Sequence, residues 1–306
     1  MAVKLEHLLT EAVNSRTVGI DAMDTQEVLR IINDEDKTVA DAVAREIPRI
    51  AAAVETIVAA FQNGGRLIYI GAGTSGRLGV LDAAECPPTF GLNPGQVIGL
   101  IAGGETALVQ AVEGSEDQSE GAIPQLAALT LTDKDVVVGL AASGRTPYVI
   151  GGLAYANERG AFTVAISCTP EPAVGQVAKL AITPLVGPEV IAGSTRMKAG
   201  TAQKMVLNML STAAMIRLGK VYGNLMVDVQ ATNAKLVERA ERIVAAATGI
   251  SREEAGEFLA AAGLHPKTAI VMIKRQCSAG EAARYLAAAG GYVARALSID
   301  EKELKA

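Results

Sequence analysis

From residue 66 onward, short apolar runs alternate with segments of helical periodicity. The runs 67–70, 97–101, 136–140, 162–166 and 180–183 are rich in Val, Ile and Leu and do not alternate with polar residues. A strand covered on both faces need not alternate, so these runs predict buried strands of a parallel sheet. Helices are predicted after or between them near 75–84, 106–112, 115–129 and 146–158. This βαβ rhythm predicts an α/β fold, a doubly wound parallel sheet of about five strands flanked by helices. In such sheets a ligand sits outside the carboxyl ends of the strands. Ahead of the sheet, Val39, Val43, Ile47, Ile50, Val54 and Ile57 recur at helical spacing. They predict one long helix over 38–62, kinked at Pro48 and ended by Gly64-Gly65, with Asn33-Asp-Glu-Asp36 as its caps. Beyond the sheet, helices are predicted from about 200 to 218 and from 226 to 247. Shorter amphipathic helices at 252–262, 267–275 and 279–286 are split by Gly263, Pro266 and Gly290-Gly291. The pattern predicts four parts: an N-terminal helical segment (1–60), the sheet domain (61–225), a connecting helix (226–249) and a small three-helix domain (250–298).

Composition narrows the function. Half of the 306 residues are hydrophobic, but only 3% are aromatic and none is Trp. Base-stacking platforms are poorly supplied by such a chain. The net charge of −5 and the lack of a basic run argue against nucleic acid and anionic membranes as partners. No apolar run approaches the roughly 20 residues of a membrane span. Lys4, Glu6, Glu11 and Arg16 leave no signal-peptide core near the N-terminus. Cys86, Cys168 and Cys277 are odd in number and far apart, which suits a reducing cytoplasm. His7 and His265 stand alone and offer no His-based metal cluster. The acidic run 33–36 reads as a solvated cap and not as a metal site.

Two loops carry the chemistry. The first strand runs into Gly71-Ala-Gly-Thr-Ser-Gly76, where glycines let the backbone turn and approach a ligand closely. The helix that follows opens with unpaired N–H groups, a ready anion site, and is predicted to stop before Pro87-Pro88. Gly71-x-Gly73-x-x-Gly76 also fits the dinucleotide fingerprint, but the next strand, 96–104, contains no acidic residue for a ribose. Thr74 and Ser75 favour a small phosphorylated ligand instead. The second loop, Ala141-Ala-Ser-Gly-Arg-Thr-Pro147, follows another strand, with Thr146 as N-cap and Pro147 as the first helical residue. On its own it could be an ordinary capped helix; if the two strand tips are neighbours, both loops can face one phosphate.

Two carboxylates complete the picture. Glu85 lies among Ala83, Ala84, Cys86 and two prolines, a setting that would favour a protonated acid. Ser115 and Gln118 fit a capping box, which would put Glu116 in a first helical turn, where the ionised form is favoured. Such a pair can work as general acid and general base. Cys86 beside Glu85 reads as a small buried hydrophobe.

These residues carry a resemblance. Gly71–Arg77 and Ala142–Thr146 resemble the ligand loops of sugar isomerase (SIS) domains, which bind phosphosugars. More narrowly, Ile32-Asn-Asp-Glu-Asp36, Gly71–Arg77, Asp82-Ala-Ala-Glu-Cys-Pro-Pro-Thr89, Val112-Glu-Gly-Ser-Glu-Asp117, Ala142–Tyr148, the run 193–204 and Gly223-Asn-Leu-Met-Val-Asp228 are similar to the N-acetylmuramic acid 6-phosphate etherase family. The resemblance covers nearly all of the chain to about residue 240; the tail is similar to that family's small ubiquitin-associated-like helical domain. It implies one SIS domain, a homodimer, a phosphosugar substrate, and no metal or cofactor. It implies lyase cleavage of a lactyl ether in peptidoglycan recycling, with Glu85 and Glu116 catalytic. Substrate contacts are implied at Gly73, Thr74, Ser75, Gly76, Ser143, Gly144 and Thr146, with Ser194 and Lys198 as further candidates at the start of another helix. The alternative is a non-catalytic regulatory protein that senses a sugar phosphate, as the glucokinase regulatory protein does with two SIS domains. An aldose–ketose isomerase would use the same fold.

Overall fold

The computed structural model describes residues 9–231 and 233–300; His7 lies outside them. Three short 3-10 turns, Leu9–Glu11, Ser15–Thr17 and Ile20–Ala22, lead into helices α1 (Thr25–Ala44) and α2 (Ile47–Gln62). A capping box between Asp24 and Glu27 starts α1. Residues 33–36 therefore lie inside a helix and do not cap one, and the single helix expected over 38–62 is two. The break has a local cause. Pro48 has no N–H to give the Ala44 carbonyl, and the Glu46 side chain is occupied by the Thr183 N–H (3.0 Å) and by Arg49 (3.0 Å).

The sheet follows as β1 (Leu67–Gly71), α3 (Gly73–Phe90), β2 (Val97–Ile101), α4 (Thr106–Val109), α5 (Ile123–Ala128), β3 (Val136–Leu140), α6 (Pro147–Glu158), β4 (Phe162–Ile166), α7 (Ala173–Val177) and β5 (Leu180–Ile182). All five strands are parallel, in the order β2-β1-β3-β4-β5. Every residue of β1 and β3 is buried, as the unbroken apolar runs predicted. Ile68, Ile70, Val137, Leu126, Val149 and Leu153 form one core between the sheet and α5 and α6. On the opposite face Tyr69 meets α3, and α2 packs on β1, β3 and β5.

Three expected helices differ, the first being α4, which stops at Val109 and not at 112 because Gln110 is extended. Helix α3 does not stop before the prolines but continues to Phe90. Pro87 and Pro88 deprive only the Ala83 and Ala84 carbonyls of helical donors, and the Gly91 N–H closes the last turn on the Pro87 carbonyl at 2.9 Å. The helix expected over 115–129 is reduced to α5. Ser115 does not cap it; its hydroxyl donates to the Val112 carbonyl (2.8 Å), and residues 110–121 form turns. Their main chain is held by neighbouring helices, described below.

Helix α8 (Lys198–Arg217) is followed by the hairpin β6 (Val221–Tyr222) and β7 (Leu225–Met226), then α9 (Ala234–Thr248), α10 (Arg252–Ala261), α11 (Pro266–Arg275), α12 (Ala279–Ala288) and α13 (Val293–Ser298). The connecting helix expected from 226 therefore starts only at Ala234, because Leu225 and Met226 pair with Tyr222 and Val221 in the hairpin, and the tail has a fourth short helix beyond the three expected. The chain forms two compact units: one runs to Ala84 and resumes from Gly95 to Ser211, the other is Glu85–Pro94 and the chain from Thr212. In the second unit, Val227, Ile243, Val244, Leu259, Ile270, Leu286 and Val293 share one core, so α9 and the tail helices bury a common surface. No described helix is long and apolar enough to cross a membrane.

Candidate active site

The strand order reverses at β1, which pairs with β2 on one edge and β3 on the other. Gly71 is in register with Leu140, so loops 71–76 and 141–146 leave adjacent strand tips at the topological switch point, where open α/β sheets take their ligands. Each loop opens a helix, α3 or α6, whose first N–H groups lack helical partners. Gly73 (φ +53°) is exposed, Thr74 is half-buried, and Ser75 and Gly76 are buried. The Ser75 hydroxyl lies 2.8 Å from Gln203 Oε1. In the second loop, Gly144 has φ +72°, and a Cβ there would come within 2.5 Å of Pro172 Cβ and 2.7 Å of Thr169 Cγ2. Both facts demand glycine. Thr146 occupies the N-cap position as predicted, yet its side chain makes no cap bond, which leaves the hydroxyl for something else. Ser143 is half-buried beside it.

Glu116 reaches this region by a route the sequence did not predict. It is exposed and belongs to no helix. Its carbonyl accepts the Tyr148 backbone N–H at 3.0 Å, one of the unpaired donors at the start of α6. The Tyr148 side chain is buried and ties α6 to α5: its hydroxyl donates to Gln125 Oε1, and burial pushes its pKa up. Upstream, Arg77 on α3 donates to the carbonyls of Leu108 (3.0 Å) and Gln110 (3.2 Å). The arm that carries Glu116 is therefore tied to the helix of each loop. Gly151 permits the second tie, since a Cβ there would lie 1.7 Å from the Ser119 carbonyl oxygen.

Glu85 lies on α3 and is exposed, because Ala83, Cys86 and Phe90 take the buried face of that turn. The apolar enclosure expected around its carboxyl is absent. By its contacts Glu85 begins the second compact unit, whereas both loops and Glu116 belong to the first. The acid of α3 that is partly enclosed is instead Asp82. Burial raises its pKa against the lowering effect of hydrogen bonds from Tyr69 (2.8 Å) and Ser211 (3.0 Å). Cys86 is buried, in line with its reading as a small hydrophobe.

The start of α8 is closed by protein groups. Glu189, buried, accepts the N–H groups of Lys198 and Ala199, each at 2.9 Å. The Lys198 ammonium is buried on Glu35 Oε2 at 2.6 Å. Asn14 (2.9 Å) and Arg16 (2.8 Å) complete the Glu35 shell. Burial alone would raise the Glu35 carboxyl, but Lys198, Asn14 and Arg16 together hold it below the usual range. Ser194 is half-buried in the loop before α8. Sequence reasoning missed Arg77, Tyr148, Glu35, Glu189 and Gln203. All but Glu189 stand in runs that carry the resemblance, and their polar type at helical positions was the available signal. Among the described residues no three His, Cys, Asp or Glu side chains come together as a metal site.

The parallel sheet, with a pair of glycine- and hydroxyl-rich helix starts at its switch point, has a SIS-type fold. The SIS domain model matches residues 117–213, and the model of the glucokinase regulatory protein N-terminal SIS domain matches 49–157. A phosphoheptose isomerase structure from Neisseria gonorrhoeae aligns over 62% of this chain and 97% of its own, with 16% identity and a TM-score of 0.48. Sequence relatives are far nearer. Proteins named N-acetylmuramic acid 6-phosphate etherase from Klebsiella aerogenes, Mycolicibacterium smegmatis and Escherichia coli are 56%, 58% and 58% identical to it. They align over 97%, 96% and 98% of this chain and 99%, 98% and 100% of theirs. The chain belongs to the N-acetylmuramic acid 6-phosphate etherase family.

Two outcomes test this geometry. Gly151→Ala would gain helix propensity worth about 0.5–1 kcal/mol, but the 1.7 Å clash must push the Glu116 arm away. Hydrogen exchange should find the Tyr148 amide deprotected while amides of β1 and β3 stay protected; unchanged Tyr148 protection would disprove the tie. Glu35→Gln strands a buried ammonium and should cost about 3–5 kcal/mol near neutral pH. A carboxyl whose pKa is lowered by folding stabilises above its ordinary range and loses that contribution as pH falls through its folded value. Denaturant titrations should therefore find the gap between wild type and variant closing below about pH 4, and a gap independent of pH would contradict the assignment.

Proposed function

We propose that this chain cleaves the D-lactyl ether of N-acetylmuramic acid 6-phosphate, giving N-acetylglucosamine 6-phosphate and D-lactate. The observation that carries the reading is the adjacency of loops 71–76 and 141–146, in a chain that etherases match from end to end. The substrate phosphate is proposed to lie on Gly73, Thr74, Ser75, Gly76, Ser143, Gly144 and Thr146. Ser194 is a further candidate; Lys198 is already occupied by Glu35, so it is proposed to brace the start of α8 and not to touch the substrate. A regulatory sensor is not favoured, because the relatives that span the whole chain are named as etherases.

An ether oxygen is a poor leaving group, and the C3 carbon that bears it resists direct attack. Once the sugar ring opens, the C1 aldehyde makes the C2 proton acidic. A base removes that proton, and the C3 oxygen departs as lactate when an acid protonates it. Water then adds at C3 of the unsaturated aldehyde by the reverse steps. Glu116 is proposed as the base and Glu85 as the acid. Support for Glu116 is its arm, tied to α3 and α6. Support for Glu85 is its place in the run 82–89 that resembles the family. The chain is further proposed to act as a homodimer in peptidoglycan recycling, which the family resemblance supports, and in the cytoplasm, which suits three cysteines so far apart in sequence.

Isotopes test the mechanism. Removing either carboxyl should lower turnover by roughly 10²–10⁴. Glu85→Gln should still exchange the C2 hydrogen with heavy water while releasing almost no lactate, and Glu116→Gln should do neither. With the wild type, heavy-oxygen water should label the sugar at C3; label in the lactate would mean cleavage on the lactyl side and would end the elimination reading.

A further inference from the structure

Helix α8 presses one face on the first phosphate loop. Gly200 and Gln203, three residues apart, share that face. A Cβ on Gly200 would lie 3.5 Å from Thr74 Cγ2, and Gln203 Oε1 is 2.8 Å from Ser75 Oγ. Gln203 is 1% exposed, and its amide nitrogen has no hydrogen-bond partner. A buried amide with both N–H groups unpaired is a costly arrangement, and one that asks for an explanation.

The explanation lies in what a serine hydroxyl can offer. Ser75 has one proton and two lone pairs. With Gln203 Oε1 toward it, that proton points into the protein, and the hydroxyl has only lone pairs left for the loop. A phosphate dianion is an acceptor and gains nothing from them. If the amide turns by 180°, Gln203 Nε2 donates to Ser75 Oγ, and the Ser75 proton is released toward the phosphate. The heavy atoms barely move, since amide oxygen and nitrogen exchange places. The turned state also pairs one of the two stranded N–H groups.

We propose that Gln203 is a positioning residue for phosphate binding, whose side-chain amide sets the Ser75 hydroxyl as a donor to the ligand's phosphate. The inference rests on the proposed phosphosugar reading of the site. Phosphate binding and the turned amide are then one event. A residue that touches no ligand controls how many donors the loop presents.

A double-mutant cycle separates this role from simple packing. Ser75→Ala and Gln203→Met should each raise KM roughly tenfold or more, the size of one hydrogen bond to a charged group, with kcat changed far less. Combined, they should be no worse than either alone. The inhibition constant of inorganic phosphate should rise in parallel. Gln203→Glu keeps the shape of the side chain in case the methionine variant folds poorly. Its carboxylate can only accept, so its KM relative to wild type at the same pH should be high near pH 8 and fall on acidification, when a protonated carboxyl can donate to Ser75. An unchanged KM in Gln203→Met, multiplying effects in the double variant, or a pH-independent ratio for Gln203→Glu would overturn the proposal. A wild type that binds inorganic phosphate but releases no lactate would instead overturn the etherase reading, and the phosphate arm would still judge Gln203.

Discussion

The pairing of β3 with β1 is the constraint on which the site depends. Had β3 continued outward from β2, the two hydroxyl-rich loops would lie at separated strand tips and face different partners. Because it crosses to the other edge, Gly71 and Leu140 sit side by side, and two helices open at one place. Helix starts of this kind offer unpaired N–H groups to an anion without any lysine being required, which is what the proposed phosphate site would use. The same crossing brings α3 and α6 near enough for one segment, from the end of α4 at Leu108 to Glu116, to be held by both.

Much of this was legible in the sequence because it rests on local rules. The strands 97–101, 136–140 and 162–166 fall where unbroken apolar runs put them, since a strand covered on both faces needs nothing else. The loops declared themselves through Gly, Ser and Thr after each run. What was not legible depends on partners distant in sequence. Ser115 and Gln118 have the spacing of a capping box, but the Glu116 carbonyl finds its donor at Tyr148 and the helix does not form there. Pro87-Pro88 signals a stop, yet two lost bonds do not end a helix whose next turn can close on Gly91. Glu35 looked like a solvated cap because its partner, Lys198, lies 163 positions away.

The polar residues that frame the loops are as informative as those that line them. Lys198 stands where a substrate-binding role was easy to assign, but it is held by Glu35, and the neighbouring Glu189 accepts the first amides of α8. That leaves α8 closed to anions at its own start and free to brace the first loop through Gly200 and Gln203. Arg77, which by charge alone could be taken for a phosphate ligand, grips two carbonyls on the Glu116 arm instead. The hydroxyls and amides of the two loops remain as the groups able to meet a dianion.

The central claim is that both loops hold one and the same phosphate, and calorimetric titration with N-acetylglucosamine 6-phosphate addresses it most directly. The expected result is one ligand per chain, with no detectable binding of unphosphorylated N-acetylglucosamine, and affinity reduced at least tenfold when Ser143 and Thr146 are both changed to Ala. Full affinity in that double variant, or two independent phosphate sites per chain, would contradict it.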